Sequence, residues 1–297
     1  MIIIKELKVI KKYEEIYVNY DHYDNLIYNN KDIVFDKIGG VTCKLNANEH
    51  LAFVGLSIYG KIGYDNLVIS AIDLFKMLSH TLYVKNKDRR IVTYILEGLK
   101  GLDAKGIIIF KNTNSKLQIN TDLIIDISKI RTSVRTNKKF YVLHHQEVSR
   151  IMLVNQENDL SIDRAKLLLL FSIIIDTLSY HEKETNPSSV FRKNPMLITP
   201  DITEDFDGVY CWFSHEQLAS MVQTSPKTIR EYLEILEDLK LIYRYRFKAY
   251  YDEKRRKVRS NTNWIGRYQH KELIKRLAEI KSNQIEYAKR SMNKRVV

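Results

Sequence analysis

The stretch FSHEQLASMVQTSPKTIREYLEILEDLKLIYRYRF, residues 213–247, decides the fold of the C-terminal third of the chain. Ser214 followed three residues later by Gln217 is a capping box, in which both side chains bond exposed amides at the start of a helix. Ser225 is placed to cap a second helix, and Pro226 takes its first position, where the missing N–H costs nothing. The pattern predicts two helices joined by a tight turn.

The second predicted helix has one apolar and one polar face. Its buried stripe is predicted to be Ile229, Leu233, Leu236 and Leu239. The start of its polar face is where a recognition helix offers side chains to base edges in the major groove of DNA. We predict DNA contacts there from Ser225, Lys227, Thr228 and Arg230. Two features depart from the usual pattern: the turn has Gln223 where glycine is common, and the later helix is acidic at Glu231, Glu234, Glu237 and Asp238.

A basic hairpin follows the second helix, and we interpret it as a wing. Residues 241–247 alternate aromatic with basic side chains, so one strand face should pack and the other should be cationic. With a tip near Asp252 and Glu253, the hairpin would lie along phosphates or enter an adjacent minor groove. We predict DNA contacts from Arg244, Arg246, Lys248, Lys254, Arg255, Arg256, Lys257 and Arg259, extended by Asn261, Asn263 and Arg267.

The excess positive charge of the chain lies in its C-terminal part. Residues 241–297 hold 17 Lys/Arg against 5 Asp/Glu, a net charge of +12. The whole chain also has a net charge of +12, so residues 1–240 are neutral. A basic stripe on one module is typical of polyanion binding. Together with the helix pattern, this charge favours a module that binds double-stranded DNA over a module that binds only protein.

Composition predicts a globular protein of two domains. The chain has 297 residues and 44% hydrophobic content, enough for two cores. Its start is broken by Lys5 and Glu6, unlike a secretory signal, and its most apolar stretch, 167–175, is far shorter than the roughly 18 residues that span a bilayer. We therefore expect a cytoplasmic protein without a membrane partner. Cys43 and Cys211 are too few for a zinc site or a disulfide framework and are predicted to be buried thiols.

The first 155 residues carry a comparable order of elements. Runs of β-branched and aromatic residues predict strands at 2–4, 15–18 and 32–35. Apolar periodicity predicts helices over 47–59, 71–79 and 88–102, then strands over 107–110 and 117–127. Helix, short helix, longer helix and hairpin is the order of a winged helix. We therefore interpret residues 1–155 as a degenerate copy of that fold, with Arg89 and Arg90 as candidate DNA contacts.

The second domain is predicted to span residues 156–297, after a polar boundary at 155–161. An apolar helix over 163–181 is followed by a long loop over 181–208, for which an interdomain linker is the alternative. A last helix is predicted over 270–292 and would dock on its domain or on a partner. The predicted fold class is α+β, with two winged-helix domains in tandem and a C-terminal helix.

No catalytic motif accompanies these elements. Residues 55–61 match the P-loop pattern G-x-x-x-x-G-K, but Ile62 stands where that chemistry needs Ser or Thr, and the context is helical. His144 and His145 are adjacent, so on a strand they would point to opposite faces, and a strand end or a helix start is expected instead. We therefore expect no enzyme, no metal site and no cofactor.

The segment 213–246, whose second helix ends in Leu-Lys-Leu-Ile-Tyr-Arg at residues 239–244, resembles the winged-helix modules of bacterial DNA-binding proteins. Used in tandem with a basic wing in the second copy, the fold resembles plasmid replication initiators and the replication-organising proteins of low-GC Gram-positive plasmids and phages. That resemblance implies binding to repeated sites at an origin, a homodimer formed through the first domain, and recruitment of host replication proteins.

Two functions stay open at this point. The first is a replication initiator of a plasmid or mobile element that marks or opens an origin without catalytic activity. The second is a transcriptional regulator that uses the same fold at the promoters of a mobile element. Two predicted winged helices and the lack of an evident ligand pocket favour the initiator. Several iterated sites in an AT-rich origin would support it, whereas a single palindrome upstream of a promoter would support the regulator.

Overall fold

The computed structural model of the protein describes residues 26–36, 42–62, 65–112, 117–130, 140–154, 162–184, 209–247, 250–252, 257–259 and 263–279. The chain divides into two compact units, Met1–Ser172 and Ile173–Val297, here called unit 1 and unit 2. Both are mixed α and β, with small antiparallel sheets.

Unit 1 alternates short strands with helices. In chain order its described elements are β1 (Leu26–Asn30), α1 (Lys31–Val34), β2 (Phe35–Asp36), β3 (Thr42–Cys43), α2 (Ala47–Ile62), β4 (Asn66–Ile69), α3 (Ala71–Ser79), a 3₁₀ turn (Asn86–Asp88), α4 (Arg89–Ala104), β5 (Ile109–Phe110), β6 (Leu123–Asp126), β7 (Phe140–His144) and α5 (His145–Met152). Helix α6 (Arg164–Glu184) crosses the division between the units.

A three-stranded sheet in unit 1 has the order β4-β6-β5, with β6 in the centre. Leu67 lies opposite Ile125, and Ile69 lies opposite Leu123. Directly opposite residues of antiparallel strands point to the same face, so these four side chains form one apolar face, and all four are buried. The alternation of buried and half-buried residues along β4 and β6 is the two-residue period of a sheet with one face in the core.

The three predicted helices of unit 1 are confirmed. Helix α2 continues to Ile62, three residues past its predicted end, and α3 has the predicted bounds. Ser70 starts α3 through a capping box with Asp73, whose backbone N–H donates to Ser70 Oγ at 3.2 Å. Helix α4 begins at Arg89, directly after the 3₁₀ turn.

The strand predictions in unit 1 are partly wrong. Residues 31–34 form a helical turn and not a strand, because Asn30 Oδ1 accepts a hydrogen bond from the Asp32 amide at 2.9 Å. The strands predicted over 107–110 and 117–127 shrink to β5 and β6, and Thr121 Oγ1 accepts from the Gln118 amide in a turn before β6. The strands predicted at 2–4 and 15–18 lie outside the described residues.

Unit 2 continues from the second half of α6. Its remaining described elements are β8 (Cys211–Trp212), α7 (His215–Val222), α8 (Pro226–Asp238), β9 (Ile242–Tyr245), β10 (Tyr250–Asp252), β11 (Lys257–Arg259), β12 (Trp264–Arg267), a 3₁₀ turn (Tyr268–His270) and a helix α9 over 271–279. The predicted loop over 181–208 begins later than expected, since α6 extends to Glu184, and residues 185–208 lie outside the described part. The predicted last helix is helical over 271–279, beyond which the chain is not described.

The division between the units falls inside α6, later than the predicted boundary near residue 155. The first turn of α6 is fastened within unit 1, because Arg164 Nη1 donates to Asp88 Oδ1 at 2.9 Å and to the Met152 carbonyl oxygen. In unit 2, Cys211 is fully buried, and burial raises the pKa of its thiol to about 12. Cys211 is therefore the buried thiol predicted, whereas Cys43 is only half-buried.

Across the described ranges, no helix combines the length and the apolar character that a bilayer span requires.

Helices α2 and α4 cross in contact at Gly98. A Cβ added there would lie 2.0 Å from the Asn48 carbonyl oxygen and 3.0 Å from Ala52 Cβ. We expect Gly98→Ala to lower the stability of the chain by roughly 1–3 kcal/mol, because the two helices must move apart. The sign is diagnostic, since alanine is otherwise favoured over glycine in a helix by about 1 kcal/mol. Urea unfolding of the full chain measures it.

The matched control is Lys100→Ala, an exposed position on the same helix. Its effect should stay within about 0.5 kcal/mol. A Gly98→Ala chain as stable as the wild type would show that α2 and α4 do not depend on this close approach.

Candidate nucleic-acid interface

The start of α7 is fixed by the predicted capping box. The Gln217 amide donates to Ser214 Oγ at 3.2 Å, and the Ser214 amide donates to Gln217 Oε1 at 2.8 Å. Leu218 and Val222 are buried on one face of this helix, as predicted. Helix α7 therefore has a defined start and a defined inner face.

The turn between α7 and α8 uses a left-handed residue that is not glycine. Gln223 has φ 56° and ψ 58°, and the Thr224 amide donates to the Ala219 carbonyl oxygen at 2.9 Å. A side chain in this region costs about 1 kcal/mol relative to glycine, which explains why glycine is common at the position. The hydrogen bonds that end α7 close the turn in spite of that cost.

Helix α8 begins at the predicted cap. Ser225 Oγ accepts from the Thr228 amide at 3.1 Å and lies 2.9 Å from Thr228 Oγ1, while Pro226 takes the first helical position. The two hydroxyl groups therefore stabilise the helix start. The stripe of Ile229, Leu233 and Leu236 is fully buried; Leu239 is half-buried, and Tyr232 joins the buried face unpredicted.

The opposite side of the α8 start carries the predicted base-reading residues on the surface. Lys227 and Arg230 are exposed, as is Ser225, and Thr228 is half-buried. No acidic residue lies in the first turn of α8. Cations at the positive end of a helix are electrostatically unfavourable unless an anion neutralises them. The start of α8 is thus a cationic surface at a helix N-terminus, where backbone amides also favour negative groups.

His215 is a residue of this surface that the sequence analysis missed. Partial burial, followed by the positive charges of Arg230 and Arg244, holds the pKa of His215 below its ordinary value, against weaker opposite effects of Glu216 and Glu234. The first residue of α7 therefore lies within electrostatic range of the α8 start. Its position directly after a capping serine was the available signal.

The sheet of unit 2 is covered on both faces. Its order is β8-β12-β9, and Ile265 lies opposite Arg244 while Trp264 lies opposite Tyr245. Trp264 belongs to an apolar cluster with Val209 and with Ile274, Leu277 and Ala278 of α9. Gly266 permits this packing, because a Cβ there would lie 2.6 Å from Ile274 Cδ1.

Two of the predicted DNA contacts lie on the other, buried face of this sheet. The Arg244 side chain is only 3% exposed, and its Nη2 pairs with Glu237 Oε2 of α8. Arg267 is 1% exposed. The predicted cationic strand face is therefore wrong at both positions, and Arg244 and Arg267 are withdrawn from the interface. Arg246, just beyond β9, is 62% exposed and donates from Nη2 to Glu237 Oε2 at 3.2 Å.

The predicted wing has a paired backbone. Strands β10 and β11 are antiparallel, with Asp252 opposite Lys257, and β10 ends at Asp252, one of the two residues predicted near the tip; residues 253–256 lie outside the described part. The predicted contacts Lys248, Lys254, Arg255, Arg256 and Asn261 lie outside the described residues, and for Lys257 and Arg259 only the backbone is described. Asn263 is half-buried just before β12. DNA contacts from this hairpin stay predictions.

Arg89 and Arg90 of unit 1 are exposed at the start of α4. Arg90 Nε donates to Tyr94 Oη at 2.6 Å, with its guanidinium 5.4 Å from the centre of the Tyr94 ring. Arg90 is thereby oriented along its own helix.

The P-loop-like segment 55–61 and the adjacent residues His144 and His145 have structural roles. Residues 55–61 lie inside α2, with Gly55 against Leu74 and Leu78 of α3, and so form no phosphate-binding loop. His144 ends β7 and His145 starts α5, as expected. His145 is buried, its Nε2 lies 2.6 Å from the Met77 carbonyl oxygen, and burial lowers its pKa to about 4. Within the described ranges, no three His, Cys, Asp or Glu side chains gather as metal ligands would.

Arg244 and Arg246 make a matched pair, since both bond the same Glu237 oxygen from different environments. We expect Arg244→Ala to lower the free energy of unfolding by roughly 2–5 kcal/mol, because a large buried side chain is removed and leaves unfilled space under α8. Arg246→Ala should cost under about 1 kcal/mol, because that pair is solvated. Urea unfolding measures both. Equal losses would contradict the different burial of the two guanidinium groups.

No family model, no curated protein and no solved structure matches this chain.

Proposed function

We propose that each unit is a winged helix. The proposal is supported by the same order in both units: a helix, a strand, two helices and two strands, with the last strand in the centre of a three-stranded sheet. In unit 1 this order is α2, β4, α3, α4, β5 and β6. In unit 2 it is α6, β8, α7, α8, β9 and β12, and the β10–β11 hairpin extends the connection between the last two strands.

On that fold, the chain binds double-stranded DNA with sequence specificity through the start of α8. The observation that carries this function is the exposure of Lys227 and Arg230 at a capped helix start whose opposite face is buried. Side chains in this position of the second helix of a helix-turn-helix point into the major groove, where arginine and lysine pair with guanine edges. The basic segment 241–297 supplies phosphate contacts that do not depend on sequence.

The biological role that fits best is replication initiation on a plasmid or mobile element, without catalysis by the chain itself. Two winged helices in one chain favour an origin with repeated sites over a single promoter site. Transcriptional regulation is the second candidate. Its support is the same DNA-binding surface, which both roles would use. Homodimerisation and recruitment of host replication proteins belong to the initiator hypothesis.

The role of α8 is tested by replacing Lys227 and Arg230 with alanine. Binding is measured on duplexes selected by the full chain from a random library, since the target is unknown. Each replacement should lower discrimination between selected and random duplexes by roughly 1–3 kcal/mol if its side chain reads a base. The number and spacing of bound sites in plasmid DNA separate the initiator from the regulator.

Two control variants bracket that experiment. Replacing Arg255, Arg256 and Lys257 together should weaken binding to all duplexes and flatten the salt dependence, because phosphate contacts release counterions. Replacing Lys275 and Arg276, exposed on α9, removes a similar charge away from α8 and should leave discrimination unchanged. Unaltered discrimination in the Lys227 and Arg230 variants would sink the proposed function.

His215 gives the interface a pH dependence. Its pKa is lowered in the free protein, so the imidazole is mostly neutral at neutral pH. A DNA phosphate beside Arg230 would favour the imidazolium, so the complex takes up a proton and affinity should rise as pH falls from about 7.5 to about 5.5. In His215→Gln this rise should be smaller. Fluorescence anisotropy of a selected duplex measures it; equal slopes in both chains would place His215 outside the interface.

A further inference from the structure

Two exposed apolar side chains of unit 1 line one small cavity. Within the described part of the chain, the exposed large hydrophobic residues are Leu82, Tyr83, Ile109, Leu153 and Trp212. Tyr83 and Leu153 line the cavity, and Leu82 adjoins Tyr83 in the chain. Tyr83 is 81% exposed, far beyond what packing within its own domain requires. A concentration of such side chains at one place marks a surface that another molecule covers.

The cavity is small and belongs to unit 1 alone. Its volume is about 70 Å³, and its lining is Thr81, Tyr83, Lys85, Lys87, Asp88, Leu153, Val154 and Arg164. Pockets that enclose cofactors or nucleotides measure roughly 300–1,000 Å³, which excludes those ligands. One water molecule needs about 10–15 Å³ of such space, so the cavity has room for one group of the size of a carboxylate.

A buried arginine, Arg164, lines this cavity, and only some of its N–H groups donate hydrogen bonds to the described residues. Arg164 is 5% exposed, and its Nη1 donates to Asp88 Oδ1 and to the Met152 carbonyl oxygen. To the described residues, its Nε and Nη2 donate no hydrogen bond. A planar guanidinium presents such donors in the geometry that a carboxylate accepts.

The charges around the cavity favour an anion. Arg164 and Asp88 form an ion pair at 2.9 Å and largely cancel each other. Lys85, which forms no ion pair with the described residues, adds a positive charge to the lining, and Lys87 lines the cavity as well. Because the site is partly enclosed, a negative group entering it is attracted more strongly than at an open surface.

We propose that this cavity is a docking site for a protein partner, which inserts an aspartate or glutamate side chain flanked by apolar residues. The carboxylate bonds Arg164 and Lys85, and its apolar neighbours cover Tyr83 and Leu153. A DNA phosphate fits the rim less well, because protein–DNA interfaces are polar and wet, and the exposed leucine and tyrosine would gain nothing there. The site does not depend on DNA binding by unit 2.

The test uses the full chain as bait for a displayed library of random twelve-residue peptides. Enriched peptides should contain Asp or Glu next to aliphatic or aromatic residues. A synthetic peptide of the enriched sequence should bind at least about tenfold more weakly when its acidic residue is replaced by the amide, since the amide loses the charge-assisted hydrogen bonds to Arg164 and Lys85. Tyr83 and Lys85 are exposed, so replacing either with alanine is compatible with folding. Tyr83→Ala and Lys85→Ala should each weaken binding of the peptide by a similar factor.

Matched controls are Ile109→Ala for the tyrosine and Lys100→Ala for the lysine, because both are exposed and lie outside the cavity lining. Both should bind the peptide like the wild type. Binding to selected DNA is measured in parallel. Weaker DNA binding in Lys85→Ala, with no acidic peptide enriched, would assign the cavity to phosphate and overturn the proposal.

Two other occupants are separated by the same materials. A sedimentation shift from dimer to monomer in Tyr83→Ala, again without an enriched peptide, would assign the surface to a second copy of the chain. Residues 155–161 include Glu157 and Asp159 and follow the lining residue Val154. If acidic peptides are enriched only when the bait chain carries Glu157→Gln and Asp159→Asn, segment 155–161 occupies the cavity in the wild-type chain. Either result would overturn the proposal that a separate protein binds in the cavity.

Discussion

The carboxylate of Glu237 joins helix α8 to the sheet of unit 2. It accepts from Arg244, whose side chain is buried under the helix, and from the exposed Arg246. A buried arginine without a partner is strongly destabilising, so this ion pair restricts how α8 can lie on β9. The buried stripe of Ile229, Leu233 and Leu236 adds the apolar part of the same contact. The ion pair and the apolar stripe therefore fix the position of α8 on the sheet, as the proposed base-reading role would require.

Helix α8 is charged against its own dipole at both ends. Its first turn has no acidic residue and carries Lys227, while its last turn has no basic residue and ends in acidic side chains. Isolated helices prefer the reverse arrangement. At the C-terminal end the reason is structural, because Glu237 neutralises Arg244. At the N-terminal end no described carboxylate forms an ion pair with Lys227 or Arg230, and the DNA phosphate of the proposed function would supply the anion. Local rules that a protein breaks without internal compensation point to function.

The sequence predicted the helix pair α7 and α8 because its signals are local. It did not predict the features that depend on packing between distant residues. The caps at Ser214 and Ser225 and the leucine stripe act within a few residues, so the sequence alone specified them. The burial of Arg244 and Arg267 was missed because it depends on α9, which covers the opposite face of the sheet and leaves the arginines facing the core. The acidic end of α8 looked like a departure from pattern until its partner in β9 was known. The unit 1 cavity joins residues 81–88 with 153–164, a separation no periodicity reveals.

The two units share a run of one helix, one strand, two helices and two strands, but their surface chemistry differs. Unit 2 contains the segment that carries the whole net charge of the chain, and residues 1–240 are neutral. Arg90 at the start of α4 lies over Tyr94, whereas Tyr83 and Leu153 offer apolar area beside a cationic cavity. Phosphate binding needs a surplus of positive charge, and protein docking needs apolar area with a few fixed polar groups. The distribution of charge therefore fits the two proposals together, in which unit 2 binds DNA and unit 1 binds a protein partner.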